Sequence, residues 1–126
     1  MQDDHTPARE NFDVQMTGII HLLPIVDNNI IGCISFRVKS AIMVEAHISI
    51  LKEHRAQYAF RASKQAIEWI WRNTQVKKIV SMTPDTLPHI KKFILKLGFE
   101  LEGVNKCSFL KDGVTYDQYY GGLKRP

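Results

Sequence analysis

Apolar residues run along the first part of the chain at spacings that suit extended backbone: Ile19-Ile20-His21-Leu22-Leu23, then Ile30 to Phe36, then Ile42 to Ile50. Alternation and short continuous runs of this kind predict three strands. Asp27-Asn28-Asn29 predicts a tight turn between the first two, because Asn and Asp tolerate positive φ. Lys39-Ser40 predicts a weaker turn between the second and third. Past Leu51 the period lengthens. Ala59, Ala62, Ala66, Ile67 and Ile70 recur at three- and four-residue steps and predict a helix over Tyr58 to Asn73, with Trp69 and Trp71 widening its apolar stripe. The Ile/Val run from Lys77 to Met82 predicts a short buried strand. Ile90, Phe93, Ile94 and Leu97 form a second helical stripe, with Asp85-Thr86 as caps, Pro88 in the first turn and Gly98 at the end. Alternating residues from Phe99 to Leu110, the turn Lys111-Asp112-Gly113 and the run Val114 to Tyr120 predict a closing hairpin.

The order β-β-β-α-β-α-β-β implies an α+β sandwich: a mixed, mostly antiparallel sheet in which one helix crossover makes a parallel pair. With 126 residues, 44% of them hydrophobic, the chain carries enough apolar side chains for one core. It reads as a single domain over residues 1–126, with Met1 to Glu10 as a loose polar opening. No stretch reaches the roughly 18 consecutive apolar residues of a membrane helix, and the basic-then-apolar pattern of a signal peptide is missing from the start. A cytoplasmic protein without membrane contact is expected. Cys33 and Cys107 lie far apart without metal-ligand spacing, which predicts reduced thiols and no metal site. The net charge of +4 suits an anionic ligand. Its lysine pairs, Lys77-Lys78 and Lys91-Lys92, are too few to predict nucleic-acid binding, and Trp69 and Trp71 belong to the apolar stripe rather than to a stacking platform.

Candidate chemistry gathers where the third strand runs into the first helix, Ile48-Ser49-Ile50-Leu51-Lys52-Glu53-His54-Arg55-Ala56-Gln57-Tyr58-Ala59-Phe60-Arg61. A helix N-terminus presents unpaired N–H groups and partial positive charge, so this junction is a candidate anion site to which Arg55 and Arg61 add formal charge. Glu45 and His47 lie two apart on the preceding strand and so share one face. Both residue types do general-base work, and an unperturbed imidazole titrates near neutrality.

The junction resembles the acetyl-CoA pyrophosphate loop of the GCN5-related N-acetyltransferases, whose motif is Arg or Gln, two residues, Gly, one residue, then Gly or Ala. With Arg55 on the first position, Tyr58 and Phe60 stand where the family has glycine. Arg55-Ala56-Gln57-Tyr58-Ala59 is similar to the Arg-Gly-Lys-Tyr-Ala of small phage-encoded members. The resemblance continues through Ala66-Ile67-Glu68-Trp69, through Phe93-Ile94-Leu95-Lys96-Leu97-Gly98-Phe99 and through Ser108 to Gln118, which is close to the hairpin of the ribosomal-protein-acetylating branch.

This resemblance implies the family's fold with a shortened N-terminus, acetyl-CoA as cofactor, and transfer of an acetyl group by direct attack of an amine, on a protein rather than a small molecule. In such a fold the strand at Ile48 to Ile50 and the strand at Lys78 to Met82 splay apart, and the pantetheine arm pairs with the backbone of Ile48 and Ile50. The N–H groups of Gln57, Tyr58, Ala59, Phe60 and Arg61 then hold the pyrophosphate, and Glu45 occupies a position where several members carry the base, with His47 as its alternative. Ile94 replaces the usual tyrosine acid and Leu87 the usual asparagine, leaving Tyr116, Tyr119 or Ser108 to protonate the sulfur. The rival expectation is a protein that keeps the fold without the reaction, a cofactor-binding or phage assembly component. A phage origin would put it in the host cytoplasm. Tyr119-Tyr120 on an exposed closing strand would offer an edge to a second copy.

Overall fold

Residues 18–126 are described in the computed structural model of the chain, so the segment Met1 to Glu10 lies outside the described residues. The elements are β1 (Ile19–Leu22), β2 (Ile25–Val26), β3 (Asn29–Ile30), β4 (Gly32–Ser40), β5 (Met43–Ile50), α1 (Lys52–Asn73), β6 (Lys78–Pro84), α2 (Pro88–Lys96), β7 (Glu100–Lys111) and β8 (Val114–Lys124). Six strands form one sheet in the order β1-β4-β5-β6-β8-β7, parallel at β5–β6 and antiparallel elsewhere. The α+β architecture and the single parallel pair are those expected from the pattern.

Five local expectations need correction. The turn at Asp27-Asn28, with φ of 50° and 67°, closes the separate two-strand hairpin β2–β3 instead of linking two long strands. Ser40 still pairs with Met43, so the next turn falls at Ala41-Ile42, and Lys39 is the extra residue of a bulge between Val38 and Ser40. Helix α1 begins at Lys52, six residues before the start read from its apolar stripe, because its first turns are polar and exposed and carry no hydrophobic period. Helix α2 is opened by Leu87 with no side-chain cap, so Asp85 and Thr86 do not act as caps; Pro88 sits in its first turn as expected. Finally β8, with Tyr119 and Tyr120, is flanked by β6 and β7, so the edges of the sheet are β1 and β7 and not the tyrosine strand.

The end of α2 follows the expected rule. Gly98 takes φ of 106°, Gly98 N–H donates to Leu95 O and Phe99 N–H to Ile94 O, the paired bonds of a Schellman ending. This turn sends Phe99 back into the core and starts β7.

Alternation sorts the sheet into two faces. Ile20 and Leu22 of β1, Ile34 and Phe36 of β4, Val44 and Ile50 of β5 and Ile79 of β6 are buried and join Ala59, Ala62, Ala66, Ile67, Trp69 and Ile70 of α1 and Ile94 of α2 in one core cluster. Trp69 is thus core, and Trp71 packs beneath the Arg125 guanidinium, 5.2 Å from its ring. The other face carries the intervening residues, His21, Cys33, Ser35, Arg37, Glu45 and His47, and no helix of the described residues covers it.

Candidate active site

Strands β5 and β6 pair only through Met43–Lys78, Val44–Ile79 and Glu45–Val80. Beyond Glu45 and Val80 they have no register partners, so a wedge opens between Ala46–Ile50 and Ser81–Pro84. The phase of the neighbouring ladders decides what lines it. Leu51 N–H donates to Ile31 O at 2.8 Å, which assigns the odd residues of β5 to β4 and turns the N–H and C=O of Ala46, Ile48 and Ile50 toward the wedge. On β6, Arg125 N–H donates to Lys77 O and Lys78 N–H to Ile42 O, so the odd residues bond β8 and the Met82 backbone faces β5. The wedge is therefore rimmed by the carbonyl of Ala46, whose N–H belongs to the last register pair with Val80, and by backbone groups of Ile48 and Met82 free of the sheet ladder. Arg55 occupies the Ile50 carbonyl, donating from Nε and Nη2 at 3.4 and 3.2 Å. Ile48, at 37% exposure, marks the gap in helix cover above it.

At the closed end of the wedge, on the open face, Glu45 stands with its side chain only 14% exposed; His47 Nε2 lies 3.0 Å from one carboxylate oxygen and Lys39 Nζ 3.6 Å from the other. One strand further, His47 is in register with Ser35, and Ser35 with His21. His21 Nδ1 and Ser35 Oγ are 2.8 Å apart, with Cys33 Sγ 3.4 Å from the same hydroxyl. A transverse polar row thus crosses three strands beside the wedge.

The early start of α1 relocates the junction residues. Its amides without an intrahelical acceptor are those of Lys52 and Glu53, since Leu51 N–H donates to Ile31 O and His54 N–H to Leu51 O. The N–H groups of Gln57, Tyr58, Ala59, Phe60 and Arg61 lie inside the helix, where its own carbonyls take them, so they do not form a phosphate-binding loop. Ala59 is buried in the core. The Tyr58 ring meets that of His54 at a tilt, 5.9 Å between centroids, and with Arg61 it lines a cavity of about 300 Å³ beneath the β2–β3 hairpin rather than the wedge. Tyr116 is likewise remote. Glu45 pairs with Val80 and Val80 with Gly122, and Tyr116 lies six residues along β8 from there, about 20 Å at the rise of a strand.

The structure instead brings forward side chains that periodicity could not select. Phe60 meets Phe93 of α2 edge-on at 6.2 Å, and Lys96 and Lys64 lie 4.6 and 6.0 Å from its ring. Among the described residues neither lysine has an acidic partner, so the α1–α2 cleft combines aromatic surface with unbalanced positive charge. Ser81 and Thr86, beside the wedge and at the entry to α2, have buried hydroxyls without a hydrogen-bond partner. Nothing in the spacing of Ser81 or Lys96 distinguishes them; only the fold does.

Residues 10–118 match the family described as "Protein of unknown function (DUF2824)". No curated protein matches the chain. Among solved structures, a chimera of the Vibrio cholerae spermidine N-acetyltransferase SpeG with hSSAT superposes with a TM-score of 0.80 at 19% identity, covering 85% of this chain and 69% of that one. Mutant forms of the Vibrio cholerae spermidine/spermine N-acetyltransferase SpeG give 0.79 at 18% identity, covering 85% and 67%. A dodecameric structure of the Vibrio cholerae enzyme gives 0.72 at 21%, with 78% of this chain and 59% of that one covered. At such identities the likeness establishes the fold, that of the GCN5-related N-acetyltransferases.

Proposed function

The chain belongs to the family described as "Protein of unknown function (DUF2824)", and within it we propose an acetyl-CoA-dependent N-acetyltransferase that acts on an amine. The observation that carries this reading is the wedge between β5 and β6, whose closed end is level with the Glu45–His47 pair. The residues present fit the cofactor. Backbone groups of Ala46, Ile48 and Met82 suit the amides of a pantetheine arm, and the first turn of α1, with Arg55 beside it, suits a pyrophosphate. Lys64 and Lys96 around Phe60 suit a phosphorylated purine. The departure from glycine at Tyr58 and Phe60 then has a physical reading: side chains in the α1–α2 cleft do part of the work that a glycine loop does with backbone.

Acetyl-CoA supplies the activated thioester. Glu45 accepts a proton from the attacking nitrogen, which has no free electron pair while it is an ammonium, and His47, 59% exposed, hands that proton on to solvent. Lys39 and His47 keep the carboxylate oriented from both sides.

The acceptor reaches the thioester from the open face. The structures to which the fold is similar are named for spermidine and spermine. Here the acids near the wedge, Glu45 and Glu102, are interleaved with Arg37, Lys39 and Lys78, and Lys78 is bonded to Glu102 at 2.7 Å. A polycation finds little uncompensated negative charge on such a surface, which favours a single amine presented by a protein. The resemblance of the closing hairpin, Ser108 to Gln118, to that of the ribosomal-protein-acetylating branch is in keeping with that class of acceptor.

Calorimetric titration with acetyl-CoA tests the reading. Wild-type protein is expected to bind in the micromolar range and Arg55→Glu at least tenfold more weakly, because the substitution removes the Ile50 anchor and places a negative charge beside the pyrophosphate. No binding by the wild type sinks the proposal. With binding in hand, a lysine peptide should be acetylated in preference to spermidine.

A further inference from the structure

Resting on the acetyl-transfer reading, one position in the wedge remains unexplained by it: the fold buries a hydroxyl where the departing sulfur would lie and gives that hydroxyl nothing to bond. Ser81 is the first residue of β6 past the last register pair with β5 and is 8% exposed. Its Oγ has no hydrogen-bond partner. Burying an unsatisfied hydroxyl is costly enough that native structures rarely keep one without a ligand or water to complete it. Packing alone does not require a serine here, since alanine would fill the backbone's need equally well.

The neighbours define the space around it. A Cβ on Gly121, the register partner of Ser81 on β8, would stand 2.7 Å from Ser81 Oγ, 3.2 Å from Ile94 Cδ1 and 3.5 Å from the Phe99 ring. The missing side chain at Gly121 thus leaves room for the hydroxyl, and the apolar Ile94 and Phe99 border the same space. Across the wedge the corresponding residue is Ala46, the first of β5 beyond the paired stretch, whose small side chain adds no polar group. By alternation, Ser81 and Ala46 project to the helix-covered face, whereas Glu45 and His47 project to the open face. The closed end of the wedge therefore has a base on one side of the sheet and the buried Ser81 hydroxyl on the other, at the same level, with Thr83 two residues further along that face.

We propose that Ser81 is the hydrogen-bond donor to the sulfur as the thioester breaks. The amine nitrogen's electron pair forms the new C–N bond, the C–S pair withdraws onto sulfur, the nitrogen's proton goes to Glu45, and the Ser81 hydroxyl donates to the resulting thiolate. Rotation about one torsion with three staggered wells is all that Oγ needs to turn from Gly121 toward the wedge. Ile94, which borders the same space from α2, offers no donor of its own.

The test uses coenzyme A itself with full-length wild type, Ser81→Ala and Ser81→Ala/Ile94→Tyr. Thiolate absorbance of the bound thiol is followed through a pH titration alongside kcat with a lysine peptide. Ser81→Ala is expected to fold with unchanged or higher Tm, since it removes an unpaired buried hydroxyl. It should ionise bound thiol at higher pH than wild type and lower kcat at least tenfold with little change in KM. The added tyrosine hydroxyl should restore part of both losses. Coenzyme A bound by both proteins with the same thiol titration and the same kcat overturns the role of Ser81 and leaves acetyl transfer standing. Failure of wild type to bind coenzyme A overturns the acetyl-transfer reading and this inference together.

Discussion

The two faces of the sheet are written by the same strands, one residue out of step. Phe36 and Val44 sit under the helices with 1% and 0% exposure, while their neighbours Ser35 and Glu45 look out on the open face. On the covered side, Ser81 and Thr83 of β6 apart, the buried strand residues are apolar and chosen for volume. On the open side they are chosen for chemistry, and they meet in pairs: His21 with Ser35, Glu45 with His47 and Lys39. A strand of period two lets stability and function be set independently at adjacent positions. The cost of a substitution should then depend on its parity more than on its distance from the wedge.

Phe36→Ala should cost the most, about 3–5 kcal/mol by chemical denaturation, because it opens a cavity in a fully packed core. Ser35→Ala, one residue away, should stay within about 0.5 kcal/mol. Equal costs would break the comparison. Next comes Glu45→Gln, expected to lower kcat about a hundredfold while leaving both the acetyl-CoA Kd and the unfolding midpoint close to wild type. A change confined to Kd would move Glu45 from the chemistry to binding. Smallest is Lys39→Ala. Its side chain is 43% exposed with the ammonium 3.6 Å from Glu45, so stability should change by less than about 0.5 kcal/mol. An effect on rate larger than on stability would sharpen the view that the open face is tuned for reaction.

The sequence made some of this architecture legible. Apolar period marked both helices, Asp27-Asn28 and Gly98 marked their turns by the positive φ they adopt, and the strand pattern put Glu45 and His47 on one face. The start of α1 was hidden because Lys52 to Gln57 are polar apart from Ala56, and an amphipathic helix announces only the part that is buried. That single boundary brought Gln57 into the helix and moved Tyr58, Ala59, Phe60 and Arg61 from its start to its second and third turns. Ser81 and the Lys96–Phe60 contact were hidden for another reason. Each depends on elements far apart in the chain, β6 with β8 and α1 with α2, and local patterning does not report such meetings.

The bulge at Lys39 has a consequence for how this protein can change length. In β5 the same parity decides which side chains reach the open face and which backbone groups line the wedge, so adding or deleting one residue there would exchange both at once. Lys39 takes up a single-residue slip before the chain turns at Ala41-Ile42. Variation in length can be absorbed on the β4 side of that turn, where a misfit ends in solvent, and relatives that differ by one residue should differ there rather than between Met43 and Ile50.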